Sequence, residues 1–331
     1  MKILVTGSTG FIGSHLCKAL VEQGHAVRAF HRPNSPLTGL QGLELEHSMG
    51  DITHPDELTE AMRGVEAVFH TAAFVGRRDP RLIYQISVDG TRNVLEAARR
   101  AGVRRVVQTS SVAALGVPLE QDHRKSEPLM PMNENHSWNI PAGRWPYGYH
   151  KHLAELEVQK AVAAGLEAVI VNPALVVGAG DLNRIAGDSV IRTAKGGIPV
   201  VIKGGLSVIH IADVVHGHLA ALEHGKPGER YILGSENLTH VQYLQMIAEA
   251  AGVRAPALVL PTALVRSLRT PVTLAGRVFS LPINGQMLEQ AGYYFYFDVA
   301  KAENELGLQE RKPVRQAIEE AIEWYRQAGV I

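Results

Sequence analysis

The sequence predicts an α/β fold in which a doubly wound parallel sheet carries a smaller, mostly C-terminal α/β lobe. Three observations support this expectation. A short apolar strand at Lys2–Val5 runs into a glycine-rich turn and then into an amphipathic helix over Phe11–Glu22. Strand-like and helix-like segments alternate through the first half, as parallel strands joined by helical crossovers do. Beyond Gly178 the alternation loosens into scattered helical segments, as expected of a second lobe closing over the strand ends.

In order, strands are expected at Lys2–Val5, Ala26–His31, Leu43–His47, Ala67–His70, Arg105–Thr109 and Ala168–Val171. Each is short, as suits strands joined by helical crossovers. Helices are expected at Phe11–Glu22, Leu82–Arg100 and Tyr147–Ala164. The last of these starts after Pro146 and stops at Gly165, the usual polarity of the two residues at helix ends. Further helices are expected at Ile185–Lys195, Ile211–Glu223, Val241–Ala251 and Pro313–Arg326, and a buried strand with alternating faces over Tyr293–Phe297. The apolar stretch Ala255–Leu268 reads as lobe packing or a subunit contact. Between residues 116 and 146, Pro118, Pro128, Pro131 and Pro141 break a polar segment that also holds Trp138 and Trp145. A stretch this long without regular structure that leads straight to Tyr147 reads as a substrate-side flap, with a passive surface loop as the alternative. The division is residues 1–175 for the main domain and 176–331 mainly for the second lobe, with chain crossings back expected.

Composition narrows the function. The chain has 331 residues, 46% apolar and 20% charged, with 33 basic and 33 acidic side chains. That balance leaves no global basic field for nucleic acid or an anionic membrane. Cys17 is the single cysteine, so neither an internal disulfide nor a cysteine metal cluster is available. The first strand begins almost at Met1, and no apolar run is long enough to span a membrane, so a cytoplasmic protein is expected.

The first turn reads Gly7-Ser8-Thr9-Gly10-Phe11-Ile12-Gly13, with glycines three residues apart. Glycine lets a backbone approach a pyrophosphate, and the helix start behind it offers free N–H groups and a positive dipole end. This is the Rossmann-type arrangement, in a variant spacing. Gly7, Thr9, Gly10, Phe11, Ile12 and Gly13 are therefore expected around a dinucleotide. Asp51 and Ile52 follow the third strand, where the carboxylate can accept from an adenine amino group or serve as a turn aspartate. Thr71, Ala72 and Ala73 follow the fourth strand and leave room for a ribose. The second strand ends in His31-Arg32, with Ser35 beyond and no acid. An acid there would hold a ribose 2′-hydroxyl, whereas arginine suits a 2′-phosphate. NADP(H) is favoured, with NAD(H) possible.

Tyr147 and Lys151 stand four residues apart, on one helical face. A phenol beside an ammonium can pass a proton to a carbonyl. Ser110 and Ser111 end the fifth strand and point to the crevice where such sheets bind ligands, although turn serines would look the same.

With these residues the chain closely resembles the extended short-chain dehydrogenase/reductase family over nearly its whole length. The matching segments are Thr6–Gly13, Gly50-Asp51-Ile52, Gly90–Ala98, Thr109-Ser110-Ser111, Tyr147…Lys151 with Ala154-Glu155, Asn172–Gly178, His210–Val214 and Gly228–Gly234. The resemblance implies that Ser111 orients the carbonyl, Tyr147 donates the proton and Lys151 holds the nicotinamide ribose while favouring the phenolate. It places Thr109, Asn172 and Pro173 near the nicotinamide. It also implies a homodimer through the Leu82–Arg100 and Tyr147–Ala164 helices. One departure is Ser87, where the family often has asparagine.

Sugar-nucleotide epimerases of this family commonly carry an arginine at the position of Leu206 and an asparagine at that of Leu175. The Asn172–Gly178 run and Val27–Arg32 look instead like dihydroflavonol and cinnamoyl-CoA reductases. The expectation is reduction of a small-molecule ketone or aldehyde. A nucleotide-sugar epimerase or dehydratase is the first alternative, and a non-catalytic NADP-binding sensor the second. No metal site is expected: His216 and His218 face different directions on a helix. His150 and His152, flanking Lys151, are expected to be solvated.

Overall fold

Residues 1–74, 80–119, 130–184, 187–198, 200–256, 258–268, 271–272, 288 and 290–331 are described by a computed structural model. The first elements are β1 (Lys2–Thr6), α1 (Phe11–Glu22), β2 (Ala26–His31), β3 (Glu46–Met49), α2 (Pro55–Ala61) and β4 (Ala67–His70). Then come α3 (Pro80–Tyr84), α4 (Gly90–Arg100), β5 (Arg105–Thr109), α5 (Pro146–Ala163), β6 (Ala168–Pro173) and β7 (Leu175–Val177). The chain continues through α6 (Asp188–Ala194), β8 (Val200–Ile202), β9 (Gly205–His210), α7 (Ile211–His224), β10 (Arg230–Leu233), β11 (Glu236–Thr239) and α8 (His240–Ala251). It closes with β12 (Leu258–Leu260), α9 (Thr262–Ser267), β13 (Tyr294–Phe295), α10 (Ala300–Leu306) and α11 (Val314–Gln327).

Seven strands form the main sheet in the order β10-β6-β5-β4-β1-β2-β3, every pair parallel. Strand order reverses beside β1, which sets the crevice at the carboxyl ends of β1 and β4. The inner strands are buried throughout, and helices cover both faces. Leu16, Leu20, Val214 and Ala221 pack α1 and α7 on one face. Leu58, Val94, Leu95 and Val158 pack α2, α4 and α5 on the other. β10 lies in this sheet although it follows β7–β9, so the chain crosses back from the second lobe. That lobe has its own core, in which Val208, Tyr243 and Ile247 meet Ile318, Ile322 and Tyr325 of α11. Among the described residues no helix is long and apolar enough to cross a membrane.

Several expected elements are corrected. The third strand is Glu46–Met49, not Leu43–His47, because Leu43 N–H donates to Leu40 in a turn and the leucines pack inward before the strand begins. The expected Leu82–Arg100 helix is broken by a π-turn at Gln85–Asp89. Gly90 follows it, where a Cβ would lie 2.6 Å from the Ile52 side chain. The Tyr293–Phe297 strand is reduced to Tyr294–Phe295, with half-buried rings on alternating sides. Ile185, Pro128 and residues 120–129 of the expected flap lie outside the described residues.

Gly7 adopts φ +67°, and a Cβ on it would stand 2.6 Å from Ala72 N. A Cβ on Gly13 would lie 2.2 Å from the Gly7 carbonyl oxygen. Both neighbours are backbone and cannot swing aside. Alanine normally favours a helix, but Gly13→Ala is expected to destabilise the fold by about 1–3 kcal/mol in urea unfolding. An unchanged or raised midpoint would refute this close packing.

Candidate active site

The cleft at the switch point encloses about 750 Å³, its open mouth included, and is lined by Gly7, Thr9, Gly10, Phe30, His31, Arg32, Ser35, Gly50, Asp51, Ile52, Thr71, Ala72, Ala73, Phe74, Ile86 and Asn183. It thus gathers most of the expected nucleotide set. Its size is in the range of small-molecule and cofactor sites. Phe11 and Ile12 instead pack their side chains against the core. Gly10 supplies no side-chain cap to α1, and no acid stands in the first turn. The helix start therefore offers its N–H groups and positive dipole end to an anion. Close backbone approach at Gly7, an uncapped helix start and an adjoining cleft fit a dinucleotide pyrophosphate.

At the far side of the cleft Arg32 is exposed, and among the described residues its guanidinium makes no hydrogen bond or ion pair. His31 is buried, with Nδ1 3.1 Å from the Arg32 carbonyl and Nε2 3.0 Å from His47 Nδ1. Asp51 Oδ1 accepts from Thr53 N–H at 2.9 Å and Thr53 Oγ1 at 2.8 Å, so the residue builds a turn while facing the cleft. Thr71 Oγ1 donates to the Thr6 carbonyl at 2.7 Å and ties the two strand ends together.

Ser111 follows β5 in extended backbone, and its Oγ accepts from Ala113 N–H at 3.2 Å. Tyr147 sits in the first turn of α5. Burial pushes its phenol above the ordinary value, and a hydrogen bond with Ser111 opposes that. One turn on, Lys151 Nζ donates to the Thr109 carbonyl at 3.0 Å. Burial lowers the Lys151 pKa to about 8, and the Glu155 carboxylate works against this. Lys151 is directed to the Thr109 carbonyl, and the first cause of the Tyr147 shift is burial.

Asn172 is fully buried and its Nδ2 donates to the Ser111 carbonyl at 2.9 Å and to Glu155 Oε1 at 2.6 Å. Pro173 ends β6 beside it. Thr109 turns its hydroxyl away from the cleft onto His218 Nε2 at 2.8 Å, and His218 Nδ1 donates to the Val214 carbonyl at 2.7 Å. Beneath the cleft His70 bridges Thr6 Oγ1 at 2.7 Å and Thr91 Oγ1 at 3.1 Å. Since Thr91 already donates to the Ser87 carbonyl at 2.8 Å, it accepts from His70 Nε2–H, which fixes the tautomer.

Sequence reasoning missed several residues. Phe74, Ile86 and Asn183 line the cleft, the last from the loop after β7. Glu155 lies four residues past Lys151, a spacing that marked its face but not its partners. His150, expected at the surface, is buried edge-on to Tyr84, with Nδ1 unpartnered, because α3 and the π-turn cover it. His152 stacks on Trp138 at 5.9 Å.

Comparison with known proteins shows the family and the fold. Residues 3–234 match the model of the NAD dependent epimerase/dehydratase family. The chain is 34% identical to a putative dihydroflavonol 4-reductase of Synechocystis, covering 99% of this chain and 95% of that one. It is also 34% identical to sterol demethylase protein B of Methylococcus capsulatus over the full length of both. Among solved structures, gox2253 superposes with a TM-score of 0.87 at 35% identity, over 99% of each chain. A nucleoside-diphosphate-sugar epimerase of Pseudomonas aeruginosa superposes with a TM-score of 0.82 at 27% identity, over 100% of this chain and 99% of that one.

Burial holds His70 down to a pKa of about 3 and His218 down to about 4, from an ordinary value of 6.5. Above 6.5 both rings are neutral folded or unfolded. Below it the unfolded chain binds protons that the folded chain refuses, so stability falls with pH until the folded values are reached. Each ring contributes a slope of about 1.4 kcal/mol per pH unit. Denaturant unfolding between about pH 6 and 4 should show His218→Gln losing one such slope. An unchanged slope would mean that His218 titrates normally.

Proposed function

The chain belongs to the NAD-dependent epimerase/dehydratase family and is an enzyme of the extended short-chain dehydrogenase/reductase type; on that premise we propose that it reduces a ketone or aldehyde to an alcohol with NADP(H). The family binds NAD(P). The finer choice of NADP(H) is supported by Arg32 at the end of β2, exposed in the cleft wall beside Ser35, where a 2′-phosphate would be neutralised. The observation that carries the reading is the Ser111–Tyr147 hydrogen bond next to a buried Lys151.

A nicotinamide cofactor held in the cleft would supply the hydride that the carbonyl carbon accepts. Ser111 donates a hydrogen bond to the carbonyl oxygen and withdraws charge from it. Tyr147, whose phenol burial pushes above the ordinary value, gives its proton to the oxygen as charge develops. Lys151 is held in place by the Thr109 carbonyl and would hold the nicotinamide ribose. Trp138 and Trp145 pack against Gly148, where a Cβ would meet their rings at 2.9 and 3.1 Å, and bring the flap beside Tyr147. They suit a carbonyl compound with an apolar body.

Similarity to a nucleoside-diphosphate-sugar epimerase keeps epimerisation as the second reading. Against it, Leu175 and Leu206 pack half-buried against the apolar core of the second lobe and offer no charge or amide to a sugar-linked pyrophosphate.

The test is oxidation of NADPH and NADH against a panel of aromatic and aliphatic ketones and aldehydes. Tyr147→Phe is expected to lower kcat by at least about 100-fold. Arg32→Ala is expected to raise KM for NADPH about 10- to 100-fold and leave NADH nearly unchanged. Turnover of a nucleotide sugar with none of any carbonyl would replace the proposal by the second reading.

A further inference from the structure

Glu155 is one helical turn beyond Lys151 and buried, 5% exposed. Its Oε1 accepts from Ser110 Oγ at 2.5 Å and from Asn172 Nδ2 at 2.6 Å. The same Asn172 nitrogen donates to the carbonyl of Ser111. Its Oε2 takes Arg230 Nη1 at 3.1 Å. Arg230 starts β10, the strand that returns from the second lobe. Its remaining donors go into the flap. Nε and Nη2 reach the Glu134 carbonyl at 2.8 and 2.6 Å, and Nη2 also reaches the His136 carbonyl at 2.6 Å. Two residues on, Trp138 stacks on His152 and lies 5.6 Å from the Tyr149 ring.

We infer that Glu155 is a positioning residue: through Ser110 and Asn172 it fixes the strand end that presents Ser111, and through Arg230 it fixes the flap against the helix that carries Tyr147 and Lys151. The inference rests on the proposed reduction at this site. A buried carboxylate with three donors has little freedom, and the planar guanidinium fork spans two carbonyls and a carboxylate at once. Lysine, a point charge, cannot. Removing the carboxylate releases both connections together. The groups facing the pair are few. Lys151 meets Glu155 on its own helix, His70 from β4 and the Thr109 carbonyl from β5. Glu155 meets Arg230 from β10 and His152. Glu155 favours the charged form of Lys151. Its loss therefore lowers the lysine pKa further, and activity that needs the ammonium falls off at lower pH.

The experiment compares the wild-type enzyme with Glu155→Gln and Arg230→Lys. It measures kcat and KM with NADPH and a reduced carbonyl, the pH profile, the melting temperature and acrylamide quenching of tryptophan. In Glu155→Gln, kcat is expected to fall about 10- to 100-fold and the alkaline limb to move to lower pH. Flap tryptophan quenching is expected to rise about twofold in both variants. Arg230→Lys, at a half-exposed strand start, raises KM for the carbonyl more than it lowers kcat and serves if the Gln variant does not fold. Wild-type kinetics, pH profile and quenching in Glu155→Gln would overturn the inference, as would a lower melting temperature alone. If the wild type reduces no carbonyl, the reductase reading fails by itself. Unchanged quenching in both variants would then overturn the positioning role, and increased quenching would uphold it.

Discussion

The arrangement turns on one buried ammonium. Taking a lysine out of water costs several kcal/mol unless close polar groups replace its hydration. For Lys151 the replacement is a backbone carbonyl at the end of β5 and a carboxylate one turn along its own helix. Nearby histidines could not carry a proton as well without adding repulsion. His70 is accordingly neutral and held at both ring nitrogens by threonines, and His218 occupies both nitrogens on the other side of Thr109. Glu155 then needs a cation of its own, which Arg230 supplies. The charges alternate from the helix to the edge strand, and each is where it is because of the one before.

The nucleotide side is governed by sterics rather than charge. At Gly7, Gly13 and Ala72 three backbone segments approach closer than any side chain would permit. That closeness leaves the start of α1 uncapped at the crevice where strand order reverses. Among the described residues the second lobe enters the same cleft only at Asn183. The two halves thus have different tolerances: one lacks room for a methyl group, the other lacks room for an unmatched charge.

Much of this was legible in the sequence because it is local. The inner strands announce themselves as apolar runs, and Tyr147 and Lys151 share a face by helical arithmetic. Gly7 and Gly10 announce the turn. The errors arise where a residue's conformation is set from far away. Leu43 and Leu45 read as strand but are drawn into the core ahead of it. The π-turn at Gln85–Asp89 has no local marker; it follows from packing against α5 and Ile52. His150 reads as a surface histidine until α3 is placed over it. Glu155 was visible at the right spacing, yet its significance depends on Arg230, 75 residues away, and on flap carbonyls that have no sequence signature.

The return of β10 to the edge of the main sheet has a consequence for how the protein is made. Synthesis proceeds from the N-terminus, and β1 to β6 can pair as they emerge. Residue 230 cannot join them until the intervening strands and α7 have been translated. Arg230 arrives with that strand. Until then the nascent sheet has an open edge along β6, and Glu155 lacks its counter-ion. A half-made chain therefore carries a complete glycine turn while Glu155 still waits for the strand that brings Arg230.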